Sequence, residues 1–188
     1  MYTFLKSKIL DEKGYEVMMD WETSLMKEHA KVVTENGGDI LEIGFGMGIC
    51  ANFIQQSNIK SHTIIEIHDE VYKRLLEWAK DKPNIIPIKG DWFDSIPKDK
   101  KYDGIMHDTW NEKNYPYLYQ TIPKILNPKG IFTYYTADTE KVLKFNSKTK
   151  YKWGKLSIKK IKVNPPIKKM KHKYFTRTDY YIPKIIID

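Results

Sequence analysis

The chain has 188 residues, of which 41% are hydrophobic and 13% aromatic, so it can bury a sizeable core and is not a disordered polypeptide. No apolar run approaches the ~20 residues that a membrane-spanning helix needs, and the first residues lack the apolar stretch of a secretory signal. A single cysteine, Cys50, excludes an internal disulfide and, with scattered histidines, offers no metal-ligand cluster. We therefore expect a cytoplasmic protein of one domain without a metal ion.

The net charge of +8 is distributed unevenly along the chain. Residues 141–177 contain 13 lysines, one arginine and no acidic residue, so the remainder of the chain is acidic. A basic segment of this kind can bind nucleic acid or an acidic protein. Its lysines alternate with strand-type residues instead of following one helical face, which favours a solvated surface.

The predicted elements alternate between helices and strands. Apolar residues at three- or four-residue steps predict a first helix from Gly14 to about Gly37. Buried strands are predicted over 39–44, 62–67, 84–88, 102–108 and 131–135, with helices beginning at 49, 69 and 115. Residues 155–163 and 174–187 read as the two strands of a hairpin.

This alternation predicts an α/β fold with a Rossmann-like, doubly wound and mostly parallel sheet, followed by a C-terminal antiparallel hairpin. We expect one domain over residues 1–188. It comprises an N-terminal helical cap (1–36), a ligand-binding core (37–136) and the basic hairpin (137–188).

A glycine loop follows the first predicted strand, in the pattern Glu42-x-Gly44-x-Gly46-x-Gly48. Glycines let the backbone turn sharply and approach a ligand closely. In a dinucleotide-binding loop the third glycine would stand at Ile49. The observed spacing is instead typical of a loop that binds a nucleoside and has no pyrophosphate to hold.

Acidic residues stand at the ends of the other predicted strands. Glu66 lies 20 residues beyond Gly46, where a carboxylate accepts hydrogen bonds from ribose hydroxyls, and His68 lies beside it. Asp91 follows the third strand, where an adenine amine would be recognised, and Asp108 ends the fourth strand at the reactive end of the ligand. Together these features predict an adenosine-type ligand.

Several segments resemble guanidinoacetate methyltransferases and the related fungal protein arginine delta-N-methyltransferases, which have the class I methyltransferase fold. The motifs W-E-T-x-x-M and G-F-G-M carry the resemblance most specifically. The resembling segments span residues 17–26, 37–49, 62–66, 89–92, 103–109 and 126–134. The resemblance implies an N-methyltransferase that uses S-adenosyl-L-methionine and acts on a guanidino group of arginine, a small guanidine or peptidyl arginine.

The resemblance also implies roles for individual residues. Glu22 and Asp108 match the two substrate-binding carboxylates, and we expect Glu22 to orient the guanidinium while Asp108 accepts its proton. The residues expected to contact the cofactor are Met18, Met26, Glu42, Gly44, Phe45, Gly46, Met47, Gly48, Ile49, Cys50, Glu66, Ile67, His68, Gly90, Asp91 and Asp108. Further acceptor contacts are expected from Trp110, Ala137 and Asp138, with Trp21 and Tyr134 as aromatic walls.

Three alternative interpretations stay open on the sequence. An aminopropyltransferase would share the fold, the glycine loop and a carboxylate after the fourth strand. A nucleic-acid or amine methyltransferase would use the basic hairpin to bind phosphate groups. Against this alternative, the sequence after the fourth strand is Asp108-Thr109-Trp110, whereas enzymes that methylate base amines have an Asn/Asp-Pro-Pro-aromatic motif there. A basic binding module without catalytic activity is the third possibility.

Overall fold

The computed structural model describes residues 1–110 and 115–187. Its strands are β1 (Thr3–Phe4), β2 (Lys8–Leu10), β3 (Glu16–Met19), β4 (Asp39–Ile43), β5 (Ser61–Glu66), β6 (Ile85–Lys89), β7 (Tyr102–His107), β8 (Leu126–Tyr134), β9 (Gly154–Lys162) and β10 (Asp179–Ile187). Its helices are α1 (Thr23–Val33), α2 (Ile49–Ile54), α3 (Asp69–Ala79), α4 (Trp92–Ser95), α5 (Tyr115–Ile125) and α6 (Glu140–Thr149). Within these ranges, none of the helices has both the length and the apolar character that a membrane crossing requires.

A seven-stranded sheet forms the centre of the molecule, in the order β6-β5-β4-β7-β8-β10-β9. Strands β4 to β8 pair in parallel, whereas β10 runs antiparallel to both β8 and β9. The predicted doubly wound sheet with an antiparallel hairpin is therefore confirmed. Chain order reverses between β4 and β7, and in such sheets a ligand binds outside the carboxyl ends of the strands at this switch point.

The N-terminal segment forms a small antiparallel sheet of β1, β2 and β3, and the helix predicted from Gly14 is wrong in its first part. Residues Glu16–Met19 are a strand, a short 3₁₀ turn follows at Asp20–Glu22, and α1 begins only at Thr23. Apolar side chains at positions 17–19 suit a strand as well as a helix, and pairing of Met18 with Ile9 decides between them.

Two further elements differ from their prediction. Helix α6 was not predicted; the Thr139 side chain caps its first turn, and Leu143 and Asn146 are buried beneath it. Strand β8 begins at Leu126, five residues earlier than expected, because Leu126 pairs with Tyr102 on β7. The pairing resumes at Ile131, opposite Gly104, after an irregularity in which Lys129 has a φ of 63°.

Helix α1 is tied to the sheet by a buried histidine. The ring nitrogens of His29 lie 2.7 Å from Thr133 Oγ1 on β8 and 2.9 Å from Tyr180 Oη on β10. Burial lowers the pKa of His29 to about 3, so the imidazole is neutral at physiological pH. One neutral ring thus joins the helix to two strands of the sheet.

Helix α1 also packs directly on the backbone of β7, where Gly104 provides the space. A Cβ at this position would lie 2.0 Å from the carbonyl oxygen of Val33.

We expect Gly104→Ala to displace α1 and to lower the free energy of unfolding by about 1–3 kcal/mol, measured by urea denaturation. Ser157→Ala on exposed β9 is the control, and an unchanged midpoint for Gly104→Ala would contradict this packing.

Candidate active site

A cavity of about 530 Å³ lies at the carboxyl ends of β4, β5 and β7, on the switch point of the sheet. Its described lining contains no lysine or arginine. It does contain five acidic residues: Glu22, Glu42, Glu66, Asp91 and Asp108. Acidic side chains therefore dominate the titratable groups of the described cavity lining.

The glycine loop closes one wall of the cavity. Gly44 has a φ of 91°, and a Cβ there would lie 1.9 Å from the carbonyl oxygen of Asp108. At Gly46 a Cβ would lie 2.6 Å from Met18 Sδ, which also accepts a hydrogen bond from the Met47 amide at 3.2 Å. Side chains at these glycines would thus separate the loop from β7 and β3.

Glu66 ends β5 with a carboxylate held by two backbone amides. Its Oε2 accepts a hydrogen bond from the Phe45 N–H at 3.0 Å, and its Oε1 accepts one from the His68 N–H at 2.7 Å. A carboxylate oxygen has a second lone pair, so each oxygen can accept one more hydrogen bond. A pair of neighbouring hydroxyl groups, such as those of a ribose, fits this arrangement.

An aromatic ring from the N-terminal segment covers the same end of the cavity. Tyr2 stacks on His68 with ring centroids 3.7 Å apart and an interplanar angle of 14°. Tyr2 was not among the residues expected at the site, because its position depends on a contact with a residue 66 positions later. Gly90, Asp91 and Trp92 also line this part of the cavity, which suits a flat, adenine-like group.

Glu42 and Cys50 lie in the cavity wall and are almost fully buried. Glu42 Oε2 lies 2.9 Å from Nε2 of His62, and burial raises the pKa of Glu42. Burial and the neighbouring Glu42 carboxylate hold the pKa of the Cys50 thiol well above its usual value. The thiol therefore stays protonated and is not a nucleophile.

Glu22 faces the other end of the cavity from the 3₁₀ turn before α1. Its Oε1 accepts hydrogen bonds from the Met19 N–H at 2.8 Å and from the Tyr174 O–H at 2.7 Å. Its Oε2 has no hydrogen-bond partner in the described part of the chain. Burial, together with the negative charge of Asp108, raises the pKa of Glu22 to about 8.

Asp108 follows β7, where the parallel ladder positions it. Its amide donates a hydrogen bond to the carbonyl oxygen of Ile43 on β4 at 2.9 Å. Burial and the nearby Glu42 raise the pKa of Asp108 to about 7. Both carboxyl groups therefore resist ionisation near neutral pH, mainly because they are buried.

The segment 170–175 covers the acceptor end of the cavity and was not identified from the sequence. Buried Glu16 accepts hydrogen bonds from the amides of Lys171 and His172, at 3.0–3.1 Å, and so tethers the segment to β3. This tether brings Tyr174 into the cavity wall, where Trp21 Nε1 donates to its hydroxyl oxygen at 3.0 Å. Two distant parts of the chain therefore build this wall together.

Most of the residues expected at the site line the cavity. They are Met18, Glu22, Glu42, Gly44, Phe45, Gly46, Cys50, Glu66, Ile67, His68, Gly90, Asp91, Asp108 and Trp110. Met47, Gly48 and Ile49 belong to the glycine loop and the start of α2 but do not line the cavity, and Met26 is fully buried in the core. Tyr134, expected as an aromatic wall, instead stacks on Phe132 inside the core.

Ala137 and Asp138, expected to contact the acceptor, lie outside the cavity wall. The Asp138 carboxylate accepts a hydrogen bond from Asn146 Nδ2 of α6 at 3.2 Å, and Arg177 donates to the carbonyl oxygens of both residues. Both residues therefore make their described contacts within the protein, and the expected contact with the acceptor stays a prediction.

Comparison with known proteins identifies relatives over most of the chain. The sequence model of a family described as guanidinoacetate N-methyltransferase matches residues 5–179. A protein named protein arginine N-methyltransferase 2 from Candida glabrata is 34% identical, over 90% of this chain and 47% of its own length. The protein of the same name from Kluyveromyces lactis is 32% identical with the same coverage. The chain thus spans about half the length of these relatives.

Solved structures share the fold at low sequence identity. The N-methyltransferase NodS from Bradyrhizobium japonicum superposes with a TM-score of 0.66 and 13% identity, over 89% of this chain and 96% of that one. The precorrin-6y C5,15-methyltransferase from Geobacter metallireducens gives a TM-score of 0.67 and 8% identity, over 95% of this chain and 93% of that one. These similarities show a class I methyltransferase fold.

Because the pKa of Asp108 is raised in the folded protein, the free energy of unfolding should depend on pH. The folded protein retains a proton on Asp108 up to about pH 7, whereas the unfolded chain releases it near pH 4, so wild-type stability falls as pH rises through this range. We expect Asp108→Asn to gain stability relative to wild type between pH 5 and pH 8, by on the order of 2 kcal/mol. Urea unfolding at both pH values measures this gain.

Asp94→Asn, at an exposed position of α4, controls for the loss of one negative charge. A difference between Asp108→Asn and wild type that is the same at both pH values would argue against the raised pKa.

Proposed function

The chain belongs to the guanidinoacetate N-methyltransferase family, and we propose that it transfers the methyl group of S-adenosyl-L-methionine to a nitrogen of a guanidino group. The observation that carries this proposal is the pairing of Glu22 and Asp108 in a cavity whose described lining has no basic side chain. A planar guanidinium, which carries one positive charge and five N–H donors, complements two carboxylates better than a neutral acceptor does.

The donor half of the cavity fits an adenosyl group. Glu66 would accept hydrogen bonds from the ribose hydroxyls, the stacked Tyr2 and His68 would cover the flat base, and the glycine loop would allow close approach of the backbone. When bound, S-adenosyl-L-methionine supplies an electrophilic methyl group on a positively charged sulfur and leaves as S-adenosyl-L-homocysteine. The acidic side chains of the cavity lining would favour binding of this cationic donor over the neutral product.

The acceptor half would position the guanidinium and remove its proton. Glu22 presents Oε2 to the acceptor, because Met19 and Tyr174 occupy Oε1. A guanidinium has a pKa above 12, so removing its proton in advance at pH 7 would cost at least about 7 kcal/mol. The proton therefore leaves as the nitrogen forms its bond to the methyl carbon, and Asp108 accepts it.

This division of roles predicts the outcome of a methyl-transfer assay. With S-adenosyl-L-methionine as donor, we expect a mass gain of one methyl group on at least one of arginine, guanidinoacetate and a capped Gly-Arg-Gly peptide. Asp108→Asn should lower the rate at least ~100-fold, because the proton acceptor is lost while the shape of the side chain is kept.

S-adenosyl-L-homocysteine affinity, measured by calorimetry, shows whether the variant still has an intact donor site. Surface variant Asp94→Asn should methylate at the wild-type rate. Normal turnover by Asp108→Asn would refute its role, and transfer of an aminopropyl group from the decarboxylated donor would favour the polyamine-type reaction instead.

The pKa values of the two carboxyl groups predict the pH profile. Both groups act as carboxylates, so kcat/KM should rise with pH and level off above apparent pKa values near 7 and 8 that belong to the pair. The rise of kcat with pH should occur at lower pH than the rise of kcat/KM, because a bound cation stabilises the ionised carboxylates. A kcat/KM that is constant from pH 6 to pH 9 would contradict this mechanism.

A further inference from the structure

Tyr135 follows β8, is one of the residues that line the cavity, and has a buried hydroxyl group. Its ring lines the cavity, and its amide donates a hydrogen bond to the carbonyl oxygen of His107 at 2.9 Å, which fixes the backbone. The hydroxyl is shielded from solvent and has no hydrogen-bond partner in the described part of the chain. A buried hydroxyl without a partner is costly in free energy, and a ligand atom that hydrogen-bonds to it would offset that cost.

The surroundings of this hydroxyl belong to the acceptor half of the site. Tyr135 is close enough to Glu22 and Asp108 for both carboxylates to raise its pKa, as do Tyr174 and Tyr180. The Tyr174 hydroxyl donates to Glu22, and the Tyr180 hydroxyl oxygen accepts from the Thr136 amide at 3.1 Å and lies 2.9 Å from His29 Nε2. Among these three tyrosines, only Tyr135 keeps its hydroxyl for a ligand.

We propose that the Tyr135 hydroxyl is a third polar contact for the acceptor, accepting a hydrogen bond from a guanidinium N–H beside the two that Glu22 and Asp108 receive. This inference rests on the proposed guanidino substrate. A phenolic oxygen has two lone pairs and one proton, so it can accept from the cation and at the same time donate to a carboxylate.

A neutral third contact also suits the electrostatics of the cavity. Glu22 and Asp108 already oppose each other, and another carboxylate would raise their pKa values further. Because its pKa is raised, Tyr135 stays protonated and adds a hydrogen-bonding oxygen without adding charge. Three oxygens around one planar cation use its multiple N–H donors, which selects a guanidinium over an amine.

Tyr135→Phe tests the contact while keeping the aromatic ring. The protein is saturated with S-adenosyl-L-homocysteine and titrated with arginine, guanidinoacetate and the capped Gly-Arg-Gly peptide by calorimetry. We expect Tyr135→Phe to bind the best of these probes about 10- to 100-fold more weakly. Its affinity for S-adenosyl-L-homocysteine should be unchanged and its melting temperature not lowered, since no protein hydrogen bond is lost.

Two other tyrosines serve as matched controls. Tyr181→Phe, at a β10 position outside the cavity lining, should keep wild-type affinity for the same probe. Tyr180→Phe removes a hydroxyl that is paired inside the protein, so it should lower the melting temperature, in contrast to Tyr135→Phe.

Each other outcome overturns the proposal in a recognisable way. Equal probe affinity of Tyr135→Phe and wild type would show that the hydroxyl does not contact the acceptor. A loss of S-adenosyl-L-homocysteine affinity would place the hydroxyl in the donor half, and a lowered melting temperature would show a structural role. If wild type binds S-adenosyl-L-homocysteine but neither binds nor methylates any guanidine probe, the proposed function itself fails and this inference fails with it.

Discussion

Burial of two carboxyl groups in one cavity, whose described lining has no basic side chain, dominates the electrostatics of this site. Glu22 and Asp108 both have raised pKa values because the site removes them from water and sets them against like charge. A fold that only needed stability would replace them with apolar side chains. Under the proposed function, an entering cation would offset this cost, so stability would be exchanged for affinity toward positive charge.

The rest of the site holds these charges in place. The β4–β7 ladder fixes Asp108, and the Met19 amide and Tyr174 hydroxyl fix one oxygen of Glu22. Buried Glu16 accepts the amides of the 170–175 segment, and backbone hydrogen bonds keep its pKa low despite burial. The two acidic groups therefore differ: Glu16 forms its hydrogen bonds within the protein and positions the wall, whereas Glu22 is the group proposed to bind the ligand.

The sequence predicts the parts of this arrangement that local patterns encode. Buried runs that alternate with helices give the sheet, and the acidic residues that end those strands, such as Glu66 and Asp108, meet at one edge because parallel strands share their direction. Tyr2 and Tyr174 could not be found in this way, since their positions depend on contacts with residues far along the chain. Helix α6, which follows the Ala137 segment, was likewise not predicted from the sequence.

The hydrogen bond from Tyr174 to Glu22 spans 152 residues, and the tether from Lys171 to Glu16 spans 155. During synthesis, β4, the glycine loop and Glu66 leave the ribosome long before the 170–175 segment exists. Contacts between such distant residues also form late in folding, because long loops must close first. A nascent chain can thus assemble the half of the cavity proposed to hold an adenosyl group while the wall of the proposed acceptor half is still missing, so the two halves of the site form at different times.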